Sequence, residues 1–141
     1  MNVHKQCPAL VIQFHHLNDH IPQALARADW TLERRVHTCL HVVLDMIHVL
    51  AKIRSKITPV ADNQTESCRL LSEIAGSTLA LRSRLATTTP YTAEDVCAIR
   101  NYHTKLCQTL HQLQEHDFRP TTPKETESTA SKQPKDGNKS P

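Results

Sequence analysis

Ten histidines and five cysteines in 141 residues supply the side chains that could do chemistry. His37 and His41 stand four apart, a spacing that projects two imidazoles from one face of a helix and is a known metal-ligand geometry. His48 lies two turns on, and His16 and His20 repeat the spacing in an earlier segment. A metal, however, needs ligands converging from different helices, and His37 and His41 flank an apolar stripe, where an imidazole packs its ring and keeps its polar edge wet. No metal ligands and no cofactor are expected. Cys107 lies four residues from both His103 and His111, within hydrogen-bonding reach on a helix. Helices produce such pairs by chance, and nucleophilic catalysis also asks for an oxyanion pocket of the kind built at strand-to-helix turns. With Gly76 and Gly137 as the only glycines, no loop is suited to cradling phosphate. The expectation is therefore not an enzyme.

Cys7, Cys39, Cys68, Cys97 and Cys107 are odd in number, form no C-x-x-C pair and fall on or beside apolar stripes. That pattern predicts buried free thiols in a reducing compartment. The formal charge of +3 is too weak for nucleic-acid binding, and most of it falls beyond residue 118, on Arg119, Lys124, Lys132, Lys135 and Lys139. Residues 1–14 lack the basic and apolar regions of a signal peptide, and no run approaches the roughly 20 apolar residues of a membrane span. The cytoplasm is the expected location.

The elements that must position any site are helices. Leu10, Phe14, Leu17, Ile21, Ala24 and Ala28 recur at spacings of four and three, the signature of one helical face. Pro22 inside that stripe predicts a kink or break near residues 19–21. Asp29 is the expected N-cap of a second, longest helix that Trp30 opens and that runs to about Ile57, with the stripe Val36, Leu40, Val43, Ile47, Leu50 and Ile57. Val42, Leu44 and Ile53 widen it, as suits a central helix or a helix that offers a groove to a partner. Pro59 and Asp62-Asn63 make residues 58–64 a helix stop and turn. A third helix, residues 65–86, carries Leu71, Ile74, Thr78, Leu81 and Leu85, with Leu70 and Leu79 beside the seam; Gly76 with Ser77-Thr78 makes its middle the weakest stretch, which suits a close helix crossing or, as the alternative, a functional hinge. Thr92 with Asp95 is a capping box in which Asp replaces the usual Glu. It opens a fourth helix with the heptad Val96, Ile99, His103, Leu106, Leu110 and Leu113. From residue 119 the composition of Thr, Ser, Lys, Glu and Pro cannot offset the entropy of ordering. The expected organisation is an all-α, antiparallel bundle of about four amphipathic helices over residues 1–118, followed by a disordered polar tail over residues 119–141.

The run Leu25-Ala26-Arg27-Ala28-Asp29-Trp30-Thr31-Leu32-Glu33-Arg34-Arg35-Val36 resembles the junction between the first two helices of flagellar type III export chaperones, especially the type serving the filament-cap protein. Leu70-Leu71, Ile74, Leu81-Arg82 and Leu85 are similar to that family's third helix. The resemblance implies a bacterial cytoplasmic protein. It would bind an amphipathic helix of an unassembled filament-cap or hook-filament subunit, keep it from assembling early and deliver it to the export apparatus. The implied partner groove takes in Trp30, Val36, Leu40, Val43, Ile47, Leu71, Ile74 and Leu81, and the helix from Val96 to Leu113 would cover or regulate it. The competing expectation is a non-enzymatic coiled-coil assembly or adaptor protein, viral or cytoskeletal. In that case the Val96, Ile99, His103, Leu106, Leu110 and Leu113 face would join copies of the chain, and His103 would set register.

Overall fold

The computed structural model describes residues 2–57 and 65–119 of the chain. The turn expected at residues 58–64 and, apart from Arg119 itself, the tail expected over residues 119–141 lie outside the described residues. Within them the fold is all-α, without strands. A single-turn helix, α1 (Val3–Gln6), leads into four long ones: α2 (Pro8–Leu25), α3 (Leu32–Lys56), α4 (Thr65–Thr87) and α5 (Ala93–Phe118). The sequence reading did not foresee α1, whose four residues are too short for any periodic pattern.

Two helix ends fall elsewhere than expected. Pro22 does not break α2, which continues to Leu25. A proline in the last turn sacrifices one backbone bond, to the Asn18 carbonyl, and burial of Ile21, Ala24 and Leu25 around it holds the turn closed. Nor does Asp29 cap α3. Thr31 does so, its hydroxyl accepting from the Arg34 N–H at 3.1 Å, and the helix begins at Leu32. Asp29 is engaged by the Arg27 guanidinium at 2.8 and 3.0 Å, which holds its carboxyl down to about 2. Trp30 is thus a linker residue, half-buried between the guanidinium groups of Arg27 and Arg34 at 4.5 and 4.2 Å from its ring.

In α2, α3 and α5 the buried stripe is rotated by about one residue from the aliphatic stripe. In α3 the inward seam is Val36, Cys39, Val43, Met46, Leu50 and Ile53, an unbroken alternation of three and four, with Val42 and Val49 beside it. In α2 it is Val11, Phe14, Asn18, Ile21 and Leu25, while Leu10 and Leu17 are half-buried and Ala28 is exposed beyond the helix end. In α5 it is Asp95, Ile99, Tyr102, Leu106, Thr109 and Leu113, with Leu110 alongside. The seam of α4 matches expectation: Leu71, Ile74, Thr78, Leu81 and Leu85 are buried, joined by Leu70. α3 packs between α2 and α4, α5 lies along α4 and closes against α2, and α1 braces the ends of α2 and α5. By length and composition alone α3 is also long and apolar enough to cross a membrane, a test that the central helix of a bundle passes as well. Val36, Cys39, Val42, Val43, Met46, Val49, Leu50 and Ile53 of this helix are buried against the other helices.

Gly76 does not mark a close crossing. It is exposed, and a Cβ built on it meets nothing within 4 Å. The capping box of α5 forms: Asp95 accepts from the Thr92 N–H at 2.8 Å, and its other oxygen accepts from Arg84 Nε at 3.0 Å. The backbone bond from Thr92, helped by Arg84, holds the Asp95 carboxyl below the usual carboxylate range although the residue is buried.

Gly76→Ala is expected to raise stability by about 0.5–1 kcal/mol, read as a higher urea midpoint at unchanged slope, because the methyl has room and helix propensity improves. Asp95→Ala is expected to cost about 1–2 kcal/mol at neutral pH through loss of the cap and the Arg84 partner. A carboxyl whose folded pKa is depressed contributes fully above its unfolded value and loses that contribution as pH falls through the folded one. The wild-type advantage in urea melts should therefore shrink below about pH 4.

Candidate functional site

The residues expected to form a partner groove divide into two layers. Val36, Val43, Leu71, Ile74 and Leu81 are buried. Leu71 and Ile74 share with Leu110 and Leu113 of α5 the lining of an interior void of about 20 Å³, so α5 covers this part of α4. Leu40 and Ile47 are half-buried and pack against the edge of the core, and Trp30 sits in the linker. Leu40, Ile47 and Arg54 recur at seven-residue spacing along one flank of α3, and Arg54 with Ile57 faces Cys68, Leu71 and Ser72 of α4 across a cleft of about 210 Å³. The matching row on α4 runs Cys68, Ser72, Ala75, Leu79. Ala75 is half-buried on the core, and Leu79, 41% exposed, is among the few large apolar side chains open to solvent. The α3/α4 face thus carries a half-exposed aliphatic rim around a shallow cleft.

The heptad face expected to join copies of the chain is spent inside it. Ile99, Leu106, Leu110 and Leu113 are buried, and Val96 and His103 are half-buried. α5 is also where the side-chain hydrogen bonds between elements gather. Tyr102 Oη lies 2.8 Å from Thr78 Oγ1, and the Thr78 hydroxyl donates to the Ile74 carbonyl, so Tyr102 is the donor in its own bond. Burial pushes the Tyr102 phenol up to about 12. At the far end Asp117 Oδ2 accepts from the His4 N–H at 3.1 Å and lies 2.5 Å from His4 Nδ1, while Asn2 donates to the Asp117 carbonyl. Between these, His103 Nδ1 meets Asn18 Oδ1 at 2.9 Å and Cys107 Sγ lies 3.6 Å from His103 Nε2.

Asn18 escaped the sequence reading, although its signal was present. It stands four residues after Phe14 and three before Ile21, a core position, where an amide is retained only if it finds a partner. Beside it, Ile21, Pro22 and Leu25 face Arg100, His103 and Thr104 across a cleft of about 350 Å³ between α2 and α5. The histidines of the metal-type spacing remain a surface pair. His37 and His41 stack edge-to-face at 4.6 Å, both exposed, and among the described residues no three His, Cys, Asp or Glu side chains come together. The thiols depart from expectation. All five are free, but only Cys7 and Cys39 are buried; Cys68 is half-buried, and Cys97 and Cys107 are exposed. A cysteine beside an apolar stripe faces outward as readily as inward, and periodicity alone does not separate the two cases. No family model, no curated protein and no solved structure matches the chain.

Substitutions on α4 separate the rim from the core. Leu79→Ser is expected to change stability by no more than about 0.5 kcal/mol, whereas Leu71→Ala should cost about 2–5 kcal/mol. Chemical denaturation of the two variants measures the contrast, and a large loss in Leu79→Ser would place that side chain in the core.

Proposed function

We propose that this chain is a non-enzymatic, cytoplasmic helix-binding chaperone of the flagellar type III export kind. It would hold an amphipathic helix of an unassembled filament-cap or hook-filament subunit for delivery to the export apparatus. The observation that carries the proposal is the α3/α4 face. Leu40 and Ile47 are half-exposed on the central helix, Leu79 is exposed on α4, and a cleft between α3 and α4 reaches Leu71. An amphipathic helix docks through apolar side chains at positions i, i+3, i+4 and i+7, and a rim of aliphatics flanking a shallow cleft between two helices suits that mode. The resemblance of residues 25–36 to the family's helix junction gives the partner its identity.

In this proposal the four long helices form an antiparallel bundle, and residues 119–141 are the disordered polar tail that their composition suggests. The covering helix α5 regulates access, since the expected groove residues Val36, Val43, Leu71, Ile74 and Leu81 are buried while it is in place. Its attachment through hydrogen bonds at Asp95, Tyr102, His103 and Asp117 favours a helix that releases and rebinds in one register. The competing assembly function through Val96 to Leu113 is disfavoured by burial of that face within a single chain.

Capture of the C-terminal helices of flagellar cap and hook-filament subunits by the full chain tests the proposal. Wild type is expected to retain them, and Leu40→Glu and Ile47→Glu to lose at least about tenfold in affinity, since each places a charge against an apolar ligand face. Circular dichroism of both variants serves as the check that they are folded. Equal capture by wild type and variants would reject the groove, and no capture by wild type would reject the partner.

A further inference from the structure

We propose that Cys107 is a thiol-exchange site for a low-molecular-weight disulfide bearing a carboxylate, with His103 as its base and Asn18 as the residue that positions both. The three side chains come from α2 and α5. Asn18 is 3% exposed, and its Oδ1 lies 2.9 Å from His103 Nδ1. An amide oxygen carries no proton, so Nδ1 must be the donor, and a neutral imidazole protonated there leaves Nε2 bare. Nε2 faces Cys107 Sγ at 3.6 Å, while Asn18 Nδ2 donates to the same sulfur at 3.5 Å. The thiol therefore has an acceptor for its proton and a donor for the charge left behind, the arrangement that activates a cysteine nucleophile. Cys107 is exposed, so a reagent reaches it.

The neighbouring cleft of about 350 Å³ narrows the class of reagent. Ile21, Pro22 and Leu25 give it an apolar wall, and Arg100, one turn before His103 and Thr104, gives it a cation. An apolar wall with one guanidinium suits a small molecule with an aliphatic stem and a carboxylate. Acyl transfer is disfavoured: it needs backbone N–H groups aimed at a developing oxyanion. The residues around this cluster lie within α2 and α5, whose N–H groups are bonded to their own helix. A disulfide needs no such donors, because the departing charge sits on sulfur.

In the exchange, His103 Nε2 takes the proton from Cys107 Sγ and the thiolate attacks one sulfur of the disulfide. The Cys107–sulfur bond forms as the reagent's own S–S bond breaks, and the departing thiolate recovers the proton from His103. The disulfide is the oxidant and is reduced to one thiol; Cys107 is oxidised into a mixed disulfide.

Cys97, also exposed on α5, provides an internal comparison. The full chain is treated with oxidised glutathione near neutral pH, and each cysteine is followed by mass mapping of quenched samples. Cys107 is expected to acquire the mixed disulfide about tenfold faster than Cys97. His103→Gln should lower Cys107 to the rate of Cys97, and Arg100→Ala should slow the reaction with oxidised glutathione but not with uncharged 2-hydroxyethyl disulfide. Equal rates at Cys107 and Cys97 in the wild type, a comparison that needs no variant, would overturn the site. An undiminished Cys107 rate in folded His103→Gln would do the same. Equal slowing of both disulfides by Arg100→Ala would overturn the carboxylate preference.

Discussion

The structure depends on one requirement: the apolar seam of α3 has to be covered on both sides. Val36, Cys39, Val43, Met46, Leu50 and Ile53 form a strip across almost the whole helix, with Val42 and Val49 widening it. Each such side chain gains roughly 1.5–3 kcal/mol on full burial, so leaving the strip open would exceed the stability of an ordinary domain. α2 and α4 both lie along α3 and share the cover of its seam. The fourth long helix follows from that geometry, since the inward faces of α2 and α4 also need a lid.

The lid is fixed differently from the helices it covers. Contacts between α3 and its neighbours are almost entirely apolar, and apolar packing tolerates small slips of one helix past another. α5 instead carries polar partners at several heights: Asp95 with Arg84, Tyr102 with Thr78, His103 with Asn18, and Asp117 with His4. A buried polar group that loses its partner costs about 1–3 kcal/mol, so a register slip of α5 would break several such bonds together. The hydrogen bonds add little net energy while the helix is seated, but they select one seating.

The same arrangement sets what the molecule offers to others. On the α3/α4 face Leu40 and Ile47 pack against the edge of the core, whereas Leu79 is open to solvent. On the opposite seam α2 and α5 touch over a shorter length; Arg100 and His103 line the cleft between them, and Asn18 and Cys107 are bonded to each other across the helices beside it. One seam is thus aliphatic, and the other mixes apolar and polar side chains. Of the aliphatic rim, Leu40 and Ile47 were legible in the sequence because aliphatic residues at seven-residue spacing must share a flank. The polar cluster was not, because Asn18 and His103 are 85 residues apart and nothing local pairs them.

The sequence by itself determined the helical period, the approximate helix boundaries, the capping box at Thr92 and Asp95, and the α4 seam. All of these are consequences of local backbone chemistry and residue spacing within a few turns. Only the tertiary structure decided the rotation of α2, α3 and α5 about their own axes, because an apolar stripe spans 100° or more of a helix and several residues compete for its centre. Asn18, Cys39, Met46, Asp95 and Tyr102 hold central positions that aliphatic counting assigned to Leu17, Leu40, Ile47, Val96 and His103. The competition is resolved by the partner across the interface: a thioether or thiol fits a gap, and an amide, carboxylate or phenol stays inside where another helix supplies its hydrogen bond.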